Sequence, residues 1–498
     1  MLAAPNYGQQ LCITYFPESS SRQDNLVAIC LQQLTTKGQK LMQYAAYLGA
    51  DFIPLSLVSE LLEEEGPEQV LTVVNHLLQL QLVQVISMEG QEQGLKVYPE
   101  VQACCKQYQD WCHEATLGKP EVILSKLASA LVVQMPWVEP VPNKSWQQAR
   151  LYAPHVVTVV KALKDLEAAS SEVVAKLLVF MGQYSQQVER NFFSAIEFFE
   201  DALATYHLIF SKINIYNHPL LANIWTNLGT AWYALGHAMQ AKLCFEYALT
   251  FYQKTYQEIP HPLIADTWTN LGTACYASGN AIQAQICFEH ALTFYQQTYQ
   301  EIPHPLIADT WTNLGIARYA SGNAMRAKIC FKKALTFYKK VYKDKCHPAI
   351  ALAFNNLGTA YYASGNAMQA QTYFEYALRF CTQIYKNTPH PLLADIWTNL
   401  GIASHTSGSA EQAQICCKAA LTLYQKICEN EFHPAIAMAF NNLGAAWYVL
   451  GDATQAQTCF EYALKISELI YDVDHPYIGL TSRNLQETLN ALGKIKRH

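Results

Sequence analysis

Apolar residues recur at helical spacing through most of the C-terminal part of this 498-residue chain. One stretch that begins at Pro262 has an apolar stripe made of Leu263, Trp268, Leu271 and Cys275. Ser278-Gly279-Asn280 then ends the predicted helix, because glycine readily adopts the left-handed conformation of a helix end. A second stripe follows, made of Ala284, Phe288, Ala291, Leu292 and Tyr295. The pattern therefore predicts two consecutive helices that pack on each other.

This helix pair is one unit of a repeat. The dipeptide His-Pro recurs at steps of 43 residues, with a last step of 42, at His218, His261, His304, His347, His390, His433 and His475. The 18-residue string TYQEIPHPLIADTWTNLG occurs twice without change, from Thr255 and from Thr298. Proline suits the first turn of a helix, since its missing N–H is not needed there. One helix pair cannot bury its apolar faces alone, so the units are predicted to stack.

The residues of each unit resemble the tetratricopeptide (TPR) signature. The matching positions, in order, are Trp268, Leu271, Gly272, Tyr276, Gly279, Ala284, Phe288 and Ala291. The longer period and the segments around Asn356 and Asn442 are similar to the kinesin-light-chain type of TPR. The resemblance covers residues 171–498 and implies an all-α fold, a right-handed superhelix of helix pairs. It divides the region into a degenerate first repeat (171–217), six units of 42–43 residues (218–474) and a C-terminal capping helix (475–498).

The N-terminal third has a different pattern. Four stretches between residues 25 and 80 predict helices, and residues 82–87 and 95–98 predict a hairpin. This order predicts a small winged-helix-like domain over residues 24–115, after an N-terminal tail (1–23) and before a helical connector (116–170). The string from Leu26 to Leu62 resembles the winged-helix region of STAND-type signalling NTPases. The sequence contains no G-x-x-x-x-G-K-[ST] phosphate-binding motif, so nucleotide hydrolysis is not implied.

Composition and charge narrow the class of protein. The chain is 51% hydrophobic and 15% charged, which is enough apolar material for a large core. Its net charge of −6 disfavours a protein that mainly neutralises nucleic-acid phosphates. The sequence has neither a secretory signal nor the roughly 18 uninterrupted apolar residues of a membrane span. Five cysteines recur at one repeat position and are predicted to be buried and reduced, which favours a cytoplasmic setting: Cys244, Cys287, Cys330, Cys416 and Cys459.

Several patterns that could indicate a catalytic or metal site have simpler interpretations. Seven histidines at helix starts would lie far apart along a solenoid, whereas metal ligands converge on one ion, so the histidines are expected to cap or pack locally. Residues 51–95 contain eight acidic residues and no lysine or arginine, which argues against DNA binding by the winged-helix-like domain. The sequence therefore predicts no enzyme, no metal and no cofactor.

The resemblance places the first helix of each TPR on the concave surface, where the matching positions form two rows. The asparagine row is Asn227, Asn270, Asn313, Asn356, Asn399 and Asn442, and the tyrosine row is Tyr233, Tyr276, Tyr319, Tyr362 and Tyr448. Asparagine offers both a donor and an acceptor to an extended backbone, and tyrosine offers a large contact area with a polar tip. Alternatively, both rows only join adjacent helices. Asp266, Asp309 and Asp395 on the same helices favour a neutral or basic peptide as the ligand.

Basic residues crowd one second helix and its exit. They include Lys332, Lys333, Lys339 and Lys340, which form either a solvated outer face or a docking patch for an acidic partner, RNA included. The function predicted for the whole chain is a non-catalytic protein–protein interaction scaffold that holds an extended segment of a partner in the TPR groove. The alternative is a regulatory or sensor subunit derived from a STAND-type NTPase that has lost its nucleotide-binding domain.

Overall fold

A computed structural model of the chain is predominantly α-helical, which confirms the predicted fold class. The structure describes residues 22–62, 67–87, 93–107, 118–135, 144–169, 171–210, 218–257, 259–300, 302–343, 345–386, 388–428, 432–472 and 474–495. The chain divides into two compact units, Met1–Gln257 and Glu258–His498. Residues 1–21 of the predicted tail lie outside the described ranges.

The N-terminal unit begins with helices around a small sheet. Its elements are α1 (Arg22–Gln32), α2 (Thr36–Ala45), β1 (Ile53–Pro54), α3 (Leu55–Leu62), α4 (Pro67–Gln79), β2 (Val83–Ser87), β3 (Gln93–Val97) and α5 (Pro99–Gln107). The three strands are antiparallel in the order β1-β3-β2, with Ile53 opposite Leu95 and Val83 opposite Val97. The sequence did not predict β1, which is only two residues long. This small sheet is consistent with the predicted winged-helix-like domain.

The same unit continues through the connector into the first helix pairs. These elements are α6 (Pro120–Gln134), α7 (Lys144–Asp165), α8 (Glu172–Tyr184), a π-helical turn (Ser185–Glu189), α9 (Phe192–Phe210), α10 (Pro219–Ala234) and α11 (Ala238–Tyr256). One apolar core runs from Ala28 to Cys244, so the small domain, the connector and the first pairs pack as one body. Pro154 lies inside α7 without ending it.

The C-terminal unit consists of five helix pairs and one further helix. The pairs are α12 (Pro262–Ala277) with α13 (Ala281–Tyr299), α14 (Pro305–Ala320) with α15 (Ala324–Tyr342), α16 (Pro348–Ala363) with α17 (Ala367–Tyr385), α18 (Pro391–Thr406) with α19 (Ala410–Ile427), and α20 (Pro434–Val449) with α21 (Ala453–Ile470). Helix α22 (Pro476–Ile495) packs on α21. Each first helix begins at the proline of a His-Pro step, as the sequence predicts.

Within most pairs, a phenylalanine ring of the second helix lies over a glycine of the first. Phe288 covers Gly272 and Phe331 covers Gly315, and a Cβ added to these glycines would lie 2.7 and 2.4 Å from the ring. Only glycine permits this approach. Phe199 packs on Gly182 in the same way, so α8 and α9 share this contact with the later pairs.

Candidate functional site

The repeated histidines cap their own helices. The Nδ1 atom of each accepts a hydrogen bond from the backbone N–H two residues later, at 3.2–3.3 Å, in His218, His261, His304, His347, His390, His433 and His475. Several rings also stack on the last tyrosine of the preceding second helix, and the centroids of Tyr342 and His347 are 3.5 Å apart. These contacts agree with the local capping role expected from the sequence.

No metal-ligand cluster is evident in the parts of the chain that the structure describes, where no three histidine, cysteine or acidic side chains converge. The five cysteines of the repeat position are buried and not in disulfides. Among the described helices, none combines the length and apolar character needed to cross a bilayer.

The asparagine row is half-buried and partly joins neighbouring repeats. Asn399 donates from Nδ2 to Oδ1 of Asn355 in the preceding unit at 3.0 Å, and Asn484 makes the same bond to Asn441 at 3.1 Å. Other units have threonine at the acceptor position, and its hydroxyl bonds to the carbonyl four residues earlier: Thr226, Thr269, Thr312 and Thr398. The row asparagine therefore joins two neighbouring units only where the preceding unit has an asparagine, Asn355 or Asn441, as the acceptor.

Elsewhere the asparagine row has different partners. In the N-terminal unit, Asn227 donates to Asn223 on the same helix at 2.9 Å. In the C-terminal unit, the Nδ2 atoms of Asn356 and Asn442 are buried and have no hydrogen-bond partner among the described residues. A buried donor without a partner destabilises the protein, so a ligand acceptor that reached these two amides would bind favourably.

The tyrosine row is the more exposed of the two. Tyr233, Tyr276, Tyr319 and Tyr448 are each 39–40% exposed. Tyr362 is half-buried, and its hydroxyl lies 3.1 Å from the Thr406 hydroxyl of the next unit. We call the asparagine and tyrosine rows of α12, α14, α16, α18 and α20 the first-helix wall.

The three aspartates contact the second helix of their own repeat. Tyr295 donates its hydroxyl proton to Asp266, and Tyr338 and Tyr424 donate to Asp309 and Asp395. In each of these bonds the acceptor is the Oδ1 atom of the carboxylate. Burial raises the pKa of the Asp266 carboxyl, although the bond from Tyr295 lowers it. These aspartates thus join the two helices of a repeat, a role that the sequence did not predict.

The four lysines of the predicted patch lie on α15, and three of them lie over aromatic rings. The Nζ atoms of Lys332, Lys333 and Lys339 are 5.6, 4.1 and 5.4 Å from the ring centroids of Tyr361, Trp311 and Phe354. Cation–π contacts of this kind are modestly favourable at an exposed surface. None of the ion pairs between described residues includes these lysines or Lys340. Docking of an acidic partner at α15 stays a prediction.

A cavity that the sequence did not predict lies beside the first-helix wall. It has a volume of ≈ 130 Å³, and Tyr362 and Asn442 of the two rows are among its lining residues. Both rows therefore border one hollow. The signal for it lay in the sequence, because His405 and Cys417 depart from the residues of the other units and also line it.

Comparison with known proteins identifies the repeat. Two family models, both describing tetratricopeptide repeats, match the chain, one over residues 263–340 and 349–426 and the other over residues 436–477. No curated protein sequence matches the chain.

Several solved structures are similar to the chain. BtubC (BKLC) from P. vanneervenii is 19% identical with a TM-score of 0.41, over 48% of this chain and 94% of that one. The nearly identical TPR-like repeats of a kinesin light chain from Podosopora anserina are 18% identical with a TM-score of 0.37, over 43% and 100%. A STAND protein with a TPR sensor from Pyrococcus horikoshii is 14% identical with a TM-score of 0.46, over 91% and 66%. With their stacked helix pairs, glycine–phenylalanine packing and matched family models, the segments 263–340, 349–426 and 436–477 of this chain are tetratricopeptide repeats.

Proposed function

We propose that this protein is a non-catalytic scaffold whose first-helix wall holds an extended segment of a partner protein. The observation that carries the proposal is the tyrosine row, because Tyr276, Tyr319 and Tyr448 repeat one position of the unit and are 39–40% exposed. Tyrosine combines a broad apolar ring with a hydroxyl and loses little conformational entropy on binding. A row of such rings suits a peptide that makes many modest contacts along its length.

The asparagine row also favours an extended peptide bound along the first-helix wall. The unpartnered amide donors of Asn356 and Asn442 lie two units apart and could donate to backbone carbonyls of an extended peptide. Such bonds would be independent of the peptide's side chains, so specificity would come from the tyrosines and their surroundings.

Removing two tyrosine rings should weaken peptide binding at least tenfold. The probe is a phage-displayed library of random 12-residue peptides, selected on the full chain, and the variant is Tyr276→Ala with Tyr319→Ala. Tyr376→Ala is the matched control, since this tyrosine is 45% exposed but lies on the second helix α17. Fluorescence anisotropy gives each Kd. Equal affinity for the double variant and the wild type would exclude the tyrosine row as the binding surface.

We further propose that the bound segment is neutral or basic. Asp309 and Asp395 are exposed, and only Oδ1 of each carboxylate is used by a tyrosine. Replacing Asp266, Asp309 and Asp395 together by asparagine keeps an oxygen acceptor for each tyrosine and removes three charges. The variant should bind a lysine-containing peptide several-fold more weakly at low salt, with the difference shrinking as salt rises. Stronger binding of that peptide by the variant would contradict the proposal.

The sensor alternative differs in where the partner binds. It places the contact on the winged-helix-like region within residues 24–115, whereas the scaffold places it on the first-helix wall. The test is capture of a native partner by two sets of variants. The sensor would be favoured if the variant with Tyr276 and Tyr319 substituted still captures the partner, whereas variants with surface substitutions within residues 22–107 do not.

A further inference from the structure

The unit that begins at His390 departs from the others at three positions. Cys417 stands where the other pairs have the phenylalanine that covers a glycine: Phe199, Phe245, Phe288, Phe331, Phe374 and Phe460. His405 stands in place of the row tyrosine, and Thr406 stands where the other units have alanine or valine. In a chain whose units repeat 18 residues without change, three departures in one unit call for a structural reason.

These three residues converge on one cavity. The hollow of ≈ 130 Å³ is bordered by His405, Thr406, Cys417, Ile402, Tyr362 and Asn442. Its position fits the sequence change, since cysteine is much smaller than phenylalanine and both Cys417 and Gly401 line the cavity. A cavity of about 150 Å³ is large enough to hold a benzene ring, so this one is close to the size of a leucine, methionine or phenylalanine side chain.

The lining becomes more exposed from one end of the cavity to the other. Cys417 and Gly401 are buried, Ile402 and His405 are half-buried, and Thr406 is exposed. Burial raises the pKa of Cys417 to about 12, so its thiol stays neutral near pH 7 and forms an apolar floor. The cavity therefore opens beside Thr406 and ends at Cys417.

The chemistry of the lining selects an uncharged group. The lining contains no carboxylate, lysine or arginine, and Ile402, Ala445 and Cys417 supply apolar surface. The hydroxyls of Tyr362 and Thr406 bond to each other at the rim. Asn442 adds a separate observation, because its Nδ2 is buried and lacks a partner among the described residues although the residue lines this cavity. That amide could donate a hydrogen bond to the backbone carbonyl oxygen of a residue inserted here.

We propose that this cavity is a pocket for one uncharged apolar side chain of the bound segment, of the size of leucine, methionine or phenylalanine. The inference rests on the proposed peptide-binding function and gives it a specificity determinant. The other units have a phenylalanine where the pocket would be, so the wall has this pocket at one defined place. A bound peptide would thereby have a fixed register along a surface that otherwise repeats.

The test fills the pocket with the chain's own residue from the other units. Cys417→Phe restores the ring over Gly401, and Ile415→Phe is the matched control, because Ile415 lies on the same helix but is 54% exposed and does not line the cavity. Thr406→Phe blocks the exposed end and leaves the buried core unchanged. The probe is the same random 12-residue phage library, selected on each full-length variant.

The wild type and Ile415→Phe should enrich peptides with one invariant apolar residue, whose replacement by alanine weakens binding at least tenfold. Cys417→Phe and Thr406→Phe should bind those peptides at least tenfold more weakly and lose the effect of the alanine replacement. If either folded variant binds the peptides with wild-type affinity and the same alanine effect, the pocket proposal is overturned. If the wild type enriches no peptide at all, the peptide-binding function itself is overturned, which is a distinct result.

Discussion

Phe331→Ala should lower the free energy of unfolding by about 3–5 kcal/mol, because a fully packed ring is lost and a cavity is left behind. The ring is 3% exposed and lies against the backbone of α14 at Gly315. Repeat arrays are stabilised by contacts within and between neighbouring units, so the loss should be measurable in the full chain. Urea unfolding followed by circular dichroism measures it.

Gly315→Ala tests the same contact from the other helix. Its Cβ would lie 2.4 Å from Phe331, and overpacking of this kind costs about 1–3 kcal/mol. The control is Gly479→Ala in α22, where an added Cβ meets nothing within 4 Å, so stability should rise by about 0.5–1 kcal/mol. The Gly315→Ala penalty should largely vanish in the Phe331→Ala background. A stabilising Gly315→Ala would show that the ring does not press on this glycine.

Acidification should destabilise the N-terminal unit through His155. This histidine is 1% exposed, its Nδ1 accepts a bond from the Gly49 N–H at 3.0 Å, and its Nε2 has no partner among the described residues. Burial lowers the pKa of His155 from 6.5 to about 4. Below pH 6.5 the unfolded chain therefore takes up a proton that the folded protein excludes. Stability falls as the pH drops toward 4, by up to about 3 kcal/mol, and the loss levels off below that pH.

His155→Gln separates this contribution from the titration of the carboxylates. Glutamine supplies an oxygen acceptor for Gly49 but does not titrate in this range, so the pH dependence of urea unfolding should become shallower between pH 7 and 4. His207→Gln, at an exposed position on α9, should leave the slope at its wild-type value. Identical slopes for His155→Gln and the wild type would mean that His155 is not the group responsible.

The sequence predicted the repeat because the signals that define each helix lie within a few residues of one another. A proline after each histidine, a glycine with φ near 83° at Gly279 and Gly322, and apolar stripes at helical spacing define each helix without reference to distant residues. In the N-terminal unit the same logic placed α1 to α4 and the hairpin β2–β3 to within a few residues, but it did not predict α5. It missed β1, because Ile53 and Pro54 become a strand only by pairing with β3.

The candidate site was less predictable, since the partners of its side chains come from other helices. The asparagine row is one pattern in the sequence, yet Asn399 bonds to Asn355 while Asn356 has no partner among the described residues. The acceptor is present only where the preceding unit has a second asparagine in place of threonine. Likewise, Asp309 could be predicted to lie on a first helix, but its bond to Tyr338 depends on how closely α15 packs.

By itself, the sequence determined the helix pairs, their period and their resemblance to tetratricopeptide repeats, because periodic apolar positions and helix-end residues act over a few turns. The tertiary structure decided which repeated side chains stay exposed, which ones join the helices, and that Cys417 and Gly401 line one cavity. Those outcomes depend on distances of a few ångströms between helices that only packing defines.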